Sequence, residues 1–162
     1  YLRGEKEKYE VAEVKVNNTT EDDLSYELLL KPREVEVKKD TDLAKVFEIK
    51  EIYFDLGKSD IREDAALELS KIVEVMRDNL KMKIDIRAHT DSRGSDSFNL
   101  KLSEARAKST MEWIIKQGID RSRLTAKGYG ETRLVNGCTN GVPCTEEEHQ
   151  ANRRSEFIVT NI

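Results

Sequence analysis

At 162 residues the chain has room for one ordinary domain and a fragment of a second. Its 28 basic and 32 acidic side chains leave a net charge of −4, which gives no general attraction to nucleic acid or to an anionic membrane. No apolar run approaches the ~18–20 residues that span a bilayer, no signal peptide is evident, and the chain, which starts at Tyr1, reads as a piece cut from a longer precursor.

Residues 1–45 have a texture of their own. Apolar and charged residues alternate over 12–16, which predicts a strand, with Tyr9 and Val11 as a possible extension. Residues 17–23 read as a turn, 24–30 as a second strand ended by Pro32, and 35–37 as a third short one. So few strands bury little alone. They fit the end of an upstream β-module or a β-rich linker, and the charged run 38–42 marks a boundary before a domain at 46–162.

From Phe47 strands and helices alternate. Residues 49–54 read as a strand, broken at 57–60. Ser59 or Asp60 can cap a helix that starts near Arg62, with Leu69, Ile72, Val73, Met76 and Leu80 on one apolar stripe. Residues 83–89 alternate as a strand, and a polar loop covers 90–97. A long helix follows over 98–117 and stops at Gly118. A short strand over 123–127 ends at Gly128-Tyr129-Gly130. A long loop then leads to a helical segment at 146–152 and a last strand at 154–160. This order predicts an α+β sandwich with its helices on one face of a small sheet.

Cys138 and Cys144 stand six apart in that long loop. They could be two free thiols. A zinc site with His149 would have only three ligands. A short disulfide that pins the loop is the preferred reading, and it implies an oxidising compartment. His149 itself reads as a helix-surface residue and Trp113 as core.

The chemistry gathers around the long helix. Asn99, Leu102, Ser103 and Arg106 fall on one stripe at helical spacing. The Arg106 fork can take a carboxylate with two parallel hydrogen bonds. The plainer reading is a solvated arginine that pairs with an acid such as Glu104. The preceding loop favours the first reading. The strand delivers Asp91 at its C-terminal edge, Gly94 lets the chain turn, and the helix start offers free N–H groups. An acid for an ammonium beside an arginine for a carboxylate makes a receptor for a zwitterionic, amino-acid-like group. His89, Asp91 and Ser92 do not make a triad, because neighbours on a strand point to opposite faces and no clear Ser–His pair exists.

His89-Thr90-Asp91-Ser92-Arg93-Gly94, Asn99 and Leu102-Ser103-Glu104-Ala105-Arg106-Ala107 together resemble the signature of the OmpA C-terminal, or Pal-like, family. The match continues through Gly118-Ile119-Asp120, Gly128-Tyr129-Gly130-Glu131 and Asn152-Arg153-Arg154-Ser155-Glu156, with order and spacing kept over about 46–162. The resemblance implies a βαβαββ sandwich with a small mixed sheet. It implies non-catalytic binding of peptidoglycan through the diaminopimelate of the stem peptide, with no cofactor and no metal. By motif position, Asp91 takes the ligand's ammonium and Arg106 its carboxylate. Asn99 and Leu102 line the site, and Ser92 and Arg93 lend loop contacts. Arg153 or Arg154 closes the far side; strand alternation would put them on opposite faces, and Arg154 is slightly preferred. One departure stands out. Where the family commonly has an aromatic followed by Asn or Asp beside the ligand, this chain places Leu56, which can replace the aromatic surface, and Gly57, which offers no side-chain acceptor, at the corresponding ligand-binding positions. Asp55, two residues before Gly57, is a possible substitute.

The two-cysteine loop resembles a variant of Bacteroidetes-type members, whose domain often ends a multidomain protein, sometimes after a small β-sandwich. The resemblance thus places the chain in the periplasm. It would be associated with the outer membrane through other parts of the full-length protein, with other envelope proteins as possible partners. The competing reading is a periplasmic protein-interaction module that has lost wall binding, motivated by Gly57 and the cysteine loop.

Overall fold

In the computed structural model the described residues are 2–4, 12–14, 36–55 and 58–162. The chain forms two compact units, Tyr1–Glu36 and Val37–Ile162. In the first, β1 (Leu2–Gly4) pairs antiparallel with β2 (Ala12–Val14), with Leu2 opposite Val14. The strand read at 24–30 lies outside the described residues, and neither Glu36 nor Val37 is in a strand.

The second unit contains α1 (Leu43–Val46), α2 (Glu63–Asp78), β3 (Lys83–His89), α3 (Asp96–Lys116), a short 3₁₀ turn, β4 (Leu124–Gly130), α4 (Glu146–Asn152) and β5 (Ser155–Asn161). Its sheet has the order β4-β3-β5, with β3 parallel to β4 and antiparallel to β5. A parallel pair needs a crossover, and α3 supplies it. The result is the small mixed α+β arrangement that the element order predicts.

The segment 49–54 forms no strand. The outer edge of β5 is already occupied. Asp40 N–H donates to the Val159 carbonyl at 2.8 Å, and Val159 N–H donates to the Thr41 carbonyl at 2.9 Å. Phe157 N–H donates to Asp42 Oδ1 at 2.9 Å. Segment 49–54 is held instead by burial of Ile52, with Ile49 and Phe54 packed on the core, and by Lys50 N–H donating to Glu68 on α2. Helix α2 also starts and stops differently. Arg62 takes the N-cap position without a capping side-chain hydrogen bond, while Glu63 and Asp64 place negative charge at the dipole's positive end. The helix ends at Asp78, so Leu80 leaves the stripe and is exposed.

The core joins Leu69, Ile72 and Met76 of α2, Ile114 of α3, Ile84 and Ile86 of β3, and Phe157 and Val159 of β5, all essentially fully buried. Each such side chain contributes roughly 1.5–3 kcal/mol of transfer free energy. Helix α3 meets β4 differently, through small and polar residues: Ser103, Ala107 and Thr110 are its buried positions there. A Cβ on Gly128 would lie 2.1 Å from the Glu104 nitrogen and 2.5 Å from the Ser103 carbonyl carbon, so strand and helix backbones touch. Ser103 Oγ also accepts from Gly130 N–H at 2.8 Å. This contact fixes α3, which carries Leu102 and Arg106, against the edge strand β4. No helix among the described residues is long and apolar enough to cross a membrane.

Candidate functional site

Strand β3 runs into the site at its C-terminal end. A bulge beside His89, which pairs with Gly130 where Ala88 pairs with Gly128, leaves Tyr129 free to stack on the imidazole at 5.3 Å. Thr90, Asp91 and Ser92 follow, all buried. The chain then turns through Gly94 at φ +100°, a conformation that disfavours any side chain, into α3, whose N-cap Ser95 accepts from Phe98 N–H.

Asp91, Arg93, Asn99, Leu102, Arg106 and Arg154 all line one open cleft of about 550 Å³, together with Arg153. Ser92 does not. Its hydroxyl donates to the Cys138 carbonyl at 2.6 Å and ties the Asp91 loop to the disulfide loop. Leu56 and Gly57 lie outside the described residues. Cys138 and Cys144 are joined by a disulfide with a Cα–Cα distance of 6.0 Å.

Asp91 is heavily bonded. Its Oδ1 accepts from Arg93 N–H at 2.9 Å. Its Oδ2 accepts from Arg93 Nε and Nη2 at 3.1 and 2.7 Å, and from Arg153 Nη1 at 2.5 Å. Burial pushes the carboxyl up, but the hydrogen bonds from Arg93 and Arg153 prevail and hold it below the usual carboxylate range. Arg106 is the counterpart. Its Nε donates to the Lys58 carbonyl at 3.0 Å and its Nη2 to the Asp55 carbonyl at 3.4 Å, and its guanidinium lies 4.9 Å from the Phe54 ring centroid. No described carboxylate, Glu104 included, forms an ion pair with it. Burial most, and then the nearby Arg153 charge, lower its pKa, and the Asp91 charge offsets this only in part. Asn99 does less than its position on the stripe suggests. Its amide donates to the Asp91 and Arg93 carbonyls at 3.2 Å and to Glu131 at 2.6 Å, which braces the loop.

Arg153 and Arg154 both line the cleft, because β5 begins only at Ser155 and strand alternation does not govern them. Arg153, the C-cap of α4, touches Asp91, whereas Arg154 pairs with Glu156. The residues that sequence reasoning missed sit mostly on α4. Glu146 accepts from Arg93 Nη1 at 2.9 Å and Arg153 Nη2 at 2.5 Å, and Gln150 bonds both Arg153 and Glu51. Two exposed aromatics, Tyr53 and Phe98, stand on the rim. Three acids open α4, a pattern that suits a helix N-terminus, but nothing local ties them to Asp91. His149, read as a surface residue, is buried.

His89 is buried, and its pKa falls to about 4: burial lowers it most, Arg154 adds to this, and Glu156 opposes it. Its Nε2 lies 3.4 Å from Glu156 without good hydrogen-bond alignment, and Ser92 is turned to the Cys138 carbonyl. Thus no Ser–His nucleophile pair forms here.

The OmpA family model matches residues 53–148. Over 111 residues the chain is 40% identical to a stretch of a photosystem I P700 chlorophyll a apoprotein A2 from Gloeobacter violaceus, covering 67% of this chain and 12% of that one. It is 33% identical to outer membrane porin F of Pseudomonas fluorescens, over 67% of this chain and 32% of the porin. It is 36% identical to the peptidoglycan-associated lipoprotein of Brucella melitensis, over 54% and 52% of the two chains. The chain thus spans about half or less of these relatives. Among solved structures, the cell wall anchor of the T6SS from Pseudomonas aeruginosa superposes with a TM-score of 0.56 at 27% identity, over 67% of this chain and 75% of that one. The peptidoglycan-associated lipoprotein of Burkholderia pseudomallei, at 22% identity, shares the fold with a TM-score of 0.59 over 68% and 90%.

Proposed function

The chain belongs to the OmpA family, and on that premise we propose that its cleft binds peptidoglycan without catalysis, gripping the diaminopimelate of the stem peptide. Asp91 takes the ammonium and Arg106 the carboxylate of the amino-acid head, and the domain anchors an outer-membrane-associated protein to the wall from the periplasmic side. One observation carries this reading: Asp91 and Arg106 line one cleft, and Arg106 is a half-buried cation that no described carboxylate pairs with directly, the Asp91 charge offsetting it only in part. A carboxylate ligand supplies that charge with a two-point hydrogen bond. Two relatives, a peptidoglycan-associated lipoprotein and a cell wall anchor, agree with this ligand class. The disulfide accords with an oxidising compartment. The absence of a Ser–His pair at His89 supports binding over hydrolysis.

The test is cosedimentation with insoluble peptidoglycan, paired with calorimetry on a diaminopimelate-containing stem peptide. Binding in both assays is expected. A folded protein that stays in the supernatant and gives no heat at millimolar peptide would overturn the reading, in favour of a protein-interaction module.

A further inference from the structure

Four charged side chains close into a ring at the cleft. Asp91 bonds Arg93 and Arg153, and Glu146 bonds the same two arginines from the other side. The ring is neutral. Arg106 stands outside it, held by backbone carbonyls. Asp91 Oδ2 already accepts three guanidinium N–H bonds. A ligand ammonium therefore reaches that oxygen only by displacing an arginine, while the largely buried carboxylate's other oxygen is already engaged by Arg93 N–H. Releasing a guanidinium with no partner is costly where it is covered, more so for Arg153, at 26% exposure, than for the half-exposed Arg93. Glu146 removes that obstacle, because it already holds Arg93 through Nη1 and Nη2 and Arg153 through Nη2. Whichever arginine lets go of Asp91 remains neutralised.

Resting on the reading of the cleft as a zwitterion receptor, we propose that Glu146 is a positioning residue that makes Asp91 available to a cationic group. It carries Arg93 and Arg153 while the ligand's ammonium takes their place. Gln150 also touches Arg153 but is neutral and cannot balance its charge. The carboxylate half of recognition, at Arg106, does not pass through this exchange. Glu146 therefore sets selectivity: with its charge the cleft accepts a dipolar ligand, and without it the surplus of arginine favours a pure anion.

The experiment measures the affinities of meso-diaminopimelate and of pimelate, which lacks both ammonium groups, for the wild-type chain, for Glu146→Gln and for Glu147→Gln. The Glu147 variant also removes one acid from the first turn of α4, so it controls for charge in general. With Glu146→Gln, diaminopimelate binding should weaken about fivefold, the scale of an exposed ion-pair coupling, while pimelate binding holds or tightens. Glu147→Gln should leave the ratio of the two affinities unchanged. Loss of structure would weaken both ligands together. In a Glu146→Gln protein that melts as the wild type does, an unchanged ratio of the two affinities, or the same shift in the Glu147 variant, overturns the role of Glu146 alone. Failure of the wild-type chain to bind diaminopimelate overturns the zwitterion reading, and this proposal with it.

Discussion

Replacing Arg106 by alanine separates binding from folding most sharply. In the free protein the side chain makes two backbone hydrogen bonds, at 3.0 and 3.4 Å, and covers the Phe54 ring. Two such bonds contribute roughly 0.5–1.5 kcal/mol each, with the longer one at the low end. Truncation also relieves a cation whose charge its surroundings disfavour. The net stability loss should be about 1 kcal/mol, a small shift in a thermal melt. Ligand binding should lose far more. Removing one partner of a desolvated, hydrogen-bonded charge pair costs about 2–5 kcal/mol. Because this cleft is open, the low end applies, and about 2–3 kcal/mol weakens binding roughly 30- to 150-fold. Arg106→Lys should fall in between, since an ammonium cannot present a fork. Calorimetry with diaminopimelate peptide, alongside thermal denaturation, reads both effects. A folded Arg106→Ala protein that binds within threefold of wild type would refute the placement of the carboxylate.

Other outcomes follow from the same geometry. Gly128→Ala drives a methyl into the α3 backbone and should destabilise by about 1–3 kcal/mol or more, measured by denaturant unfolding; a neutral result would contradict the backbone contact. Replacing Cys138 and Cys144 together by serine opens a six-residue separation. Chain entropy then predicts a loss of about 2 kcal/mol, seen as a lower melting temperature, and an unchanged melt would mean the loop is held by other contacts. Stability should fall as pH drops from about 6.5, the ordinary imidazole value, towards about 4, because folded His89 resists protonation to about 4 while the unfolded chain takes the proton earlier. His89→Gln should flatten the denaturation midpoint across that window. Below it, Asp91 and Glu156, both held below the usual carboxylate range, lose their contributions as pH falls through their folded pKa values.

Much of this was legible in the chain because it depends on local periodicity. The long helix, the alternation of β3 and the spacing from Asp91 to Arg106 are properties of neighbouring residues. What escaped depends on contacts distant in sequence. Residues 49–54 have a strand's pattern, yet residues 40–42 already occupy the β5 edge. Alternation seemed to separate Arg153 from Arg154, but the strand starts one residue later. Glu146 lies 55 positions from Asp91 in sequence, and nothing local announces that two arginines join them.

The contact at Gly128 has a mechanical consequence. Two main chains in direct touch have no rotamers to rearrange, so α3 cannot slide against β4 where they meet. The helix that carries Arg106 is thus mounted like the fixed jaw of a caliper. On the proposed reading of the cleft, adjustment to the span between a ligand's two charges falls to side chains alone, and little backbone ordering entropy remains to be lost on binding. A tug on a captured ligand would pass directly into the sheet and helix frame, as a tether under load requires.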